Sequence, residues 1–139
     1  MRYRYECPLR WSDLDAYGHV NNARFLTLYE EARVALMFVD ARAAGVATFD
    51  KGVVIARHEI DYLRPVDYAV AKAAPPTVRI ELWISELRPS RFTVAYELFD
   101  GDVLAGRACS VLVPYDLENG RPRRLSEAET AFLTDWLVP

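Results

Sequence analysis

The sequence has no long apolar run and no excess of one charge. The longest apolar stretches are broken by Arg or Glu before they reach the roughly 20 residues that a membrane-spanning helix needs. The 17 basic and 20 acidic residues are well mixed and give a formal net charge of -3. Such a balance offers no electrostatic surface for nucleic acid or for an anionic membrane. We therefore expect a soluble protein that binds neither.

Cysteine and histidine are both scarce. The two cysteines, Cys7 and Cys109, lie far apart, which suits buried thiols in a reducing compartment better than a disulfide framework.

The N-terminal stretch MRYRYECPLRW alternates and carries charge, so it lacks the apolar core of an export signal. We expect a cytoplasmic protein. The chain shows no metal-ligand spacing, P-loop, dinucleotide fingerprint or GxSxG elbow, and we expect neither a metal nor a cofactor.

Hydrophobic spacing predicts two helices. Apolar residues from Phe25 to Val39 recur every three or four positions, as on one face of a helix. This helix should end near Ala44 with Gly45 as its C-cap. Near its C-terminal end this helix is apolar on nearly every side, which is typical of a helix surrounded by other elements. Ser126 begins a second helix with a capping-box pattern. The apolar residues assigned to this second helix are Phe132, Leu133, Trp136 and Leu137.

Alternating patterns predict five strands. They are residues 2–9, 53–63, 77–87, 91–99 and 103–115. Asp100-Gly101-Asp102 predicts a tight hairpin between the last two strands. The order β-α-β-β-β-β, followed by a helix, indicates one α+β domain over residues 1–139, in which a twisted five-stranded antiparallel sheet curls round the central helix. Trp83 lies on the polar face of its strand, and its exposure there would indicate contact with another subunit or a helix.

The candidate site is the polar stretch RWSDLDAYGHVNNARF that precedes the first helix. Asn21 or Asn22 is a suitable N-cap. A carbonyl at this helix start would meet unpaired backbone N–H groups and the positive end of the helix dipole, which stabilise an oxyanion. Asp15 could attack that carbonyl or deprotonate a water. Gly18 gives the loop its freedom, and His19 is a further candidate acid, base or hydrogen-bond donor.

A purely structural interpretation of the same residues stays open. Asp and Asn before a helix are ordinary caps, and a single His in a turn is more often structural than catalytic. From the chemistry alone, this interpretation ranks ahead of the catalytic one. The second carboxylate, Asp13, fits a hydrogen-bond acceptor that fixes the loop better than a second catalytic group.

The sequence resembles the hotdog-fold acyl thioesterases of the 4-hydroxybenzoyl-CoA thioesterase type. The segments that carry the resemblance are the D-x-D-x-x-G-H-V-N-N run at Asp13 to Asn22, YEEAR at Tyr29 to Arg33 and DYLRPV at Asp61 to Val66. The resemblance covers nearly the whole chain in element order. It implies a helix wrapped by an antiparallel sheet, and a homodimer or homotetramer with active sites between subunits.

The resemblance also implies roles for the polar stretch. Asp15 would be the nucleophile or general base, and backbone N–H groups around Asn21 and Asn22 would bind the oxyanion. Tyr17 and Gly18 would lie in the same substrate-binding loop, with His19 as a second catalytic candidate. Related plant-type enzymes join the aspartate and histidine through an asparagine. Tyr17 takes that position here, so the plant-type network is not expected.

Arg88, Ser90 and Arg91 match a loop that lines the opening for coenzyme A in this family. Arginine suits phosphate because of its forked donors. An ordinary solvated hairpin tip is an equal alternative, and Arg57, His58 and Arg64 are further candidates without a motif. The segment YAVAKAAPP from Tyr68, where relatives have a short turn, would alter the mouth of the acyl pocket.

The leading functional prediction is hydrolysis of a small-molecule acyl-CoA thioester. The alternatives are an acyl-ACP thioesterase and a hotdog dimer that binds acyl-CoA without turnover. The sequence leaves the acyl group open, because the choice is a matter of a few methylenes, each worth about 1 kcal/mol. It also leaves open whether Asp15 acts as nucleophile or base.

Overall fold

A curled antiparallel sheet wraps one long helix in the computed structural model, which describes residues 1–68 and 76–139. Its strands are β1 (Tyr3–Pro8), β2 (Val53–Tyr62), β3 (Thr77–Arg88), β4 (Arg91–Asp100), β5 (Val103–Asp116) and the short β6 (Arg121–Pro122). The spatial order is β1-β3-β4-β5-β2, and β6 pairs with β5. The predicted α+β arrangement is confirmed, with β6 as an addition. The segment after Tyr68, expected to shape the pocket mouth, lies mostly outside the described residues.

The long helix consists of α1 (Asn22–Val34), a π-helical segment (Ala35–Asp40) and α2 (Ala41–Ala43), together called the central helix. It ends where expected, with Gly45 at a φ of +86°. The predicted apolar face is only partly right, because Val39 is 60% exposed. The wider π turn changes the phase of the helix, so that Leu36 and Met37 are buried while Val39 faces outward.

The core lies between the central helix and the inner face of the sheet. The helix contributes Phe25, Leu28, Tyr29, Ala32, Leu36, Met37 and Ala41; β3 and β4 contribute Val78, Ile80, Leu82, Ile84, Phe92, Val94, Tyr96 and Leu98. On the outer face, the expected exposure of Trp83 is wrong. Trp83 is half-buried because the Arg2 guanidinium lies 3.9 Å from its ring centroid. The chain therefore covers this aromatic ring with its own N-terminal segment.

The C-terminal helix α3 (Glu127–Thr134) begins with the predicted capping box of Ser126 and Glu129. It ends before Trp136 and Leu137, which were expected inside it. The pairing of β1 with β3 stops at Leu82, and the C-terminal tail occupies the edge that follows. The Ile84 N–H donates to the Trp136 carbonyl (2.9 Å), and the Val138 N–H donates to the Ile84 carbonyl (2.8 Å). The need to cover this strand edge ends the helix early.

A buried ion pair fixes α3 to the sheet. The Glu129 side chain is fully buried and accepts two hydrogen bonds from Arg123, at 2.7 and 3.0 Å, and one from the Ser126 N–H at 2.8 Å. Burial raises the pKa of the Glu129 carboxyl, but the hydrogen bonds from Arg123 and Ser126 outweigh burial and hold the pKa below its usual value. Glu129 thus stabilises the fold only while it is ionised.

We expect Glu129→Ala to lower the free energy of unfolding by about 3 kcal/mol at neutral pH, because it leaves the guanidinium of Arg123 without its carboxylate. The exposed Glu127, two positions earlier in the same helix, is the control; Glu127→Ala should cost less than about 1 kcal/mol. Denaturant unfolding measures both. The difference between wild type and Glu129→Ala should shrink as the pH falls through the folded pKa of Glu129, and equal costs for the two variants would contradict the assignment.

Candidate functional site

The predicted polar stretch forms a closed loop at one end of the sheet. Leu14 and Val20 pair in an antiparallel bridge that closes it. The Val20 N–H donates to the Val66 carbonyl at 2.8 Å, which ties the loop to the segment that leaves β2. The loop is therefore held between the sheet and the start of α1, as a site loop must be to keep its geometry.

Asp13 anchors the loop from inside. Its carboxylate is fully buried and accepts hydrogen bonds from the Arg10 N–H (2.8 Å) and the Arg10 guanidinium (3.0 Å). Its backbone carbonyl accepts from the Asn21 N–H at 2.8 Å. Asp13 thus fixes the position of the loop against α1 and does not line the groove described below.

Asp15 is half-buried and lies at the inner side of the turn. Its Oδ1 accepts from the Tyr17 N–H (2.8 Å) and from the His19 N–H (3.4 Å). Gly18 makes this turn possible with a φ of +76°. Among the described residues, none donates to Oδ2. One carboxylate oxygen is therefore held by the backbone while the other remains available for chemistry.

Hydrogen bonds at the start of α1 determine which of its backbone N–H groups remain free to bind a ligand. The Asn21 side chain caps the helix by accepting from the Ala23 N–H at 2.9 Å. The Asn21 N–H is already bonded to Asp13. Within the described part of the chain, the Asn22 N–H has no acceptor. Of the two backbone groups expected to bind an oxyanion, only that of Asn22 is left available.

An open groove of about 790 Å³ brings these groups together. Its lining includes Asp15, Tyr17 and His19 from the loop, Asn21, Asn22 and Phe25 from the helix start, and Tyr62, Leu63 and Arg64 from the end of β2. Gly18 lies at the exposed turn between the lining residues. The structure therefore places every candidate of the polar stretch in or beside one groove.

Asp67 is a residue that the sequence did not single out. The His19 Nε2 lies 3.2 Å from the Asp67 Oδ1, and the backbones of the two residues form an antiparallel bridge. The His19 ring thus faces Asp67, whereas the hydrogen bonds between His19 and Asp15 use only the backbone N–H and carbonyl of His19. No local pattern could have found this pair, because it depends on how the segment after β2 folds back onto the loop.

Aromatic residues form the wall of the groove beside β2. The Tyr62 hydroxyl donates to the Asn22 carbonyl at 2.8 Å, and the Tyr62 ring meets Phe25 edge to face at 5.1 Å. Behind them, Gly106 of β5 is buried against α1. A Cβ atom at Gly106 would lie 2.7 Å from the Tyr29 hydroxyl and 3.3 Å from the ring of Phe25. Glycine is required here for close approach of strand and helix.

The residues expected to bind coenzyme A lie elsewhere in this chain. Thr77, at the site end of β3, pairs with Pro8, whereas Arg88 pairs with Arg91 at the opposite end. β3 has 12 residues, so its ends are about 36 Å apart at ~3.3 Å per residue. Arg88, Ser90 and Arg91 therefore do not meet the Asp15 groove within one chain, and their role stays a prediction.

The described residues hold neither a metal site nor a membrane-spanning helix. No group of three or more His, Cys, Asp and Glu side chains in residues 1–68 and 76–139 is placed to hold a metal ion. In the same ranges, no helix has both the length and the apolar character needed to cross a membrane.

Comparisons with known proteins agree on one family. The model of the thioesterase-like superfamily matches residues 9–137. A thioesterase from Thermus thermophilus, solved with coenzyme A and Zn, is 30% identical (TM-score 0.76), and the match covers 96% of this chain and 92% of that one. A protein from Pseudomonas aeruginosa with a provisional thioesterase assignment is 29% identical (TM-score 0.77; 93% and 95% covered). Among curated proteins, none matches.

A more distant structure shows the fold alone. A predicted thioesterase from Bacillus stearothermophilus superposes with a TM-score of 0.84 over 99% of this chain and 98% of its own, at 20% identity. The curled sheet and central helix are thus shared well beyond clear sequence similarity.

We expect Gly106→Ala to lower the free energy of unfolding by about 1–3 kcal/mol, because the added methyl group clashes with the Tyr29 hydroxyl. The same substitution in a Tyr29→Phe background should cost less, since the closest contact is then removed. Denaturant unfolding of the four proteins measures this coupling. An equal cost in both backgrounds would show that the hydroxyl is not what excludes a side chain at position 106.

Proposed function

Because the chain belongs to the thioesterase-like superfamily, we propose that it hydrolyses an acyl-CoA thioester to the free acid and coenzyme A. The family makes the protein a thioester hydrolase, and the resemblance to hotdog thioesterases is confirmed. The CoA thioester and the residue roles are our proposal. The observation that carries it is a single groove lined by both the Asp15 carboxylate and the start of α1, where the Asn22 N–H is available.

Asp15 and Asn22 supply complementary chemistry. As a general base, the Asp15 carboxylate takes a proton from water while the water oxygen attacks the thioester carbonyl carbon. The carbonyl oxygen becomes an oxyanion, which the Asn22 N–H and the positive end of α1 stabilise. The oxyanion then collapses to the carbonyl of the free acid as the C–S bond breaks, and the thiolate of coenzyme A leaves as a thiol with the proton that Asp15 took from water. As a nucleophile, Asp15 would instead form a mixed anhydride that water hydrolyses in a second step.

His19 has a supporting role in this proposal. Its Nε2 lies 3.2 Å from the Asp67 Oδ1, so the ring is turned toward Asp67 at the edge of the groove. A histidine held in this way is suited to donate a proton to the departing thiolate or a hydrogen bond to the thioester. Tyr17, which lines the same groove, would contact the substrate from the solvent side.

The proposed active unit is a homodimer or a homotetramer. β2 pairs only with β5 among the described strands and leaves ten residues of strand edge open. Val54, Ile55, Tyr62 and Leu63 are exposed along it, and such an edge is suited to pairing with a second copy. A second copy would also close the open groove beside Tyr62.

A partner could also supply the site for coenzyme A. Arg88 and Arg91 stand opposite each other at the hairpin tip, with Ser90 between them, and Arg124 lines a small cavity with Arg88. The Arg88 Nε already donates to the Glu86 Oε1 at 2.7 Å, so a phosphate would bind the remaining donors of Arg88 and those of Arg91. The related thioesterase from Thermus thermophilus that was solved with coenzyme A supports a CoA-type ligand. We propose that Arg88, Ser90 and Arg91 of another subunit bind the phosphates.

The same groove could accept other thioesters, or it could bind an acyl-CoA without hydrolysing it. An acyl-ACP thioesterase would need a basic surface for its acidic carrier, which the net charge of -3 does not favour. Comparing acyl-CoA with acyl-ACP as donors separates these activities, and tight acyl-CoA binding without hydrolysis would indicate a binding protein. The free thiols Cys7 and Cys109 fit the proposed cytoplasmic location.

We expect Asp15→Asn to lower kcat/KM for acyl-CoA by about 100-fold or more, because an amide can neither attack the carbonyl nor take a proton from water. The fold should be kept, since an Asn oxygen can still accept from the Tyr17 N–H. Release of free CoA is the measurement, with Asp102→Asn as the control at an exposed turn. Turnover near that of wild type would refute the role of Asp15.

We expect Arg88→Ala combined with Arg91→Ala to raise KM for acyl-CoA by about tenfold, as expected for the loss of charge-assisted hydrogen bonds to phosphate. Hydrolysis of the matching acyl-pantetheine, which lacks the nucleotide, should not change. Arg42→Ala is the control, because Arg42 is an exposed arginine paired with Asp50. An equal effect on both substrates would exclude a phosphate-binding role.

A further inference from the structure

The hydroxyl of Tyr62 reaches from the end of β2 to the first residue of α1. It donates to the Asn22 carbonyl at 2.8 Å. The ring of Tyr62 has a contact of its own, because it meets Phe25 edge to face at 5.1 Å in the wall of the groove. A phenylalanine at this position would keep that contact. The hydroxyl is therefore the part of the side chain that the wall of the groove does not require.

Hydrogen bonds hold the peptide groups on both sides of the Asn22 Cα. The group before it carries the Asn22 N–H, the proposed oxyanion donor, and the Asn21 carbonyl. This carbonyl accepts from the Arg24 N–H at 2.9 Å. The group after it carries the Asn22 carbonyl, which accepts from Tyr62. It also carries the Ala23 N–H, which donates to the Asn21 side chain at 2.9 Å. Because each peptide group is planar, fixing both of them fixes the direction of the Asn22 N–H.

Among the groups that hold these two peptide groups, only Tyr62 belongs to the sheet. Its backbone pairs with Gly106 of β5. The Leu63 and Arg64 N–H groups that follow it both donate to the Ala105 carbonyl, at 2.9 and 3.0 Å. Hydrogen bonds within the first turn of a helix move with that turn when it frays, whereas a bond from the sheet keeps the turn in place. The Tyr62 hydroxyl therefore fixes the helix start relative to the sheet.

The loop that carries Asp15 is held by the same end of β2. The Val20 N–H donates to the Val66 carbonyl at 2.8 Å, just beyond Tyr62 in the chain. The proposed base and the proposed oxyanion donor are thus both held against one short segment. A thioester has to meet both groups at once, so their relative placement limits the rate of the reaction.

We infer that Tyr62 is a positioning residue for hydrolysis, whose hydroxyl holds the Asn22 N–H in the direction that binds the oxyanion. This inference rests on the proposed function, because it concerns the oxyanion formed from the acyl-CoA thioester. Without the hydroxyl, α1 keeps its own hydrogen bonds and the groove keeps its aromatic wall. The oxyanion forms only in the chemical step, so a displaced donor slows that step and leaves substrate binding unchanged.

The test compares wild type with Tyr62→Phe, which removes the hydroxyl and keeps the ring. Tyr62→Phe should lower kcat for acyl-CoA by about tenfold, which is less than the loss of a whole oxyanion donor. KM should stay within about twofold of wild type. Binding of the matching S-alkyl-CoA thioether, which has no carbonyl oxygen, should not change. Tyr115→Phe is the control, because Tyr115 is half-buried beside Gly52 at the other end of β2.

Other outcomes would contradict this inference. A kcat for Tyr62→Phe within about twofold of wild type would overturn it. A higher KM and weaker thioether binding at an unchanged kcat would also overturn it, because Tyr62 would then only line the groove. The same holds for a lower kcat that comes with weaker thioether binding and a large fall in Tm, which would show a general loss of structure. Absence of hydrolysis by wild type would instead refute the proposed function, and this inference with it.

Discussion

Burial of the central helix against the curled sheet is the constraint on which the rest of the structure depends. A helix that buries Phe25, Leu28, Tyr29 and Ala32 on one side gains about 1.5–3 kcal/mol for each large side chain. It can do so only if the sheet bends round it. Bending leaves the two ends of the helix at opposite ends of the sheet, so the N-terminus of α1 becomes available at one rim. The site is a consequence of that geometry.

At this rim, the backbone N–H groups at the start of α1 also need hydrogen-bond acceptors. Asp13 and the Asn21 side chain take up two of the donors there, which anchors the loop and reduces the fraying expected of a helix end. The Asn22 N–H is left available in the groove that the Asp15 carboxylate also lines. Ordinary capping is thus compatible with the proposed catalytic arrangement, since the two would use different atoms of the same few residues. The structural interpretation of the polar stretch is correct for Asp13 and for the Asn21 side chain.

Two tyrosines buried under the helix differ in whether their hydroxyls have a hydrogen-bond partner. Arg33 satisfies the hydroxyl of Tyr96, while the hydroxyl of Tyr29 faces Gly106 without a partner among the described residues. The first arrangement contributes to the stability of the free protein. The second lowers that stability, because a buried hydroxyl without a partner has lost its hydrogen bonds with water. The glycine in β5 makes the second arrangement possible, because any side chain there would displace the tyrosine.

The sequence by itself determined the element order, the strands to within a residue or two at each end, the capping box at Ser126 and the stretch that forms the site. These features depend on local periodicity and on turn chemistry, which are present in short segments. The exposure of Val39, the early end of α3 and the covering of Trp83 by Arg2 were decided by the tertiary structure. Each depends on a π turn, a free strand edge or a neighbouring strand that is distant in sequence.

The candidate site also combines features that the sequence determined with features that only the tertiary structure decided. Asp15, His19 and the asparagines can be recognised from their spacing, but the partners that give them roles cannot. Asp67 reaches His19 only because the segment after β2 folds back, and Tyr29 stands behind Phe25 only because Gly106 lets strand and helix approach. The sequence determined which residue types were available at the helix start. The tertiary structure decided which of their hydrogen-bonding atoms remain free, because that depends on contacts between segments far apart in the chain.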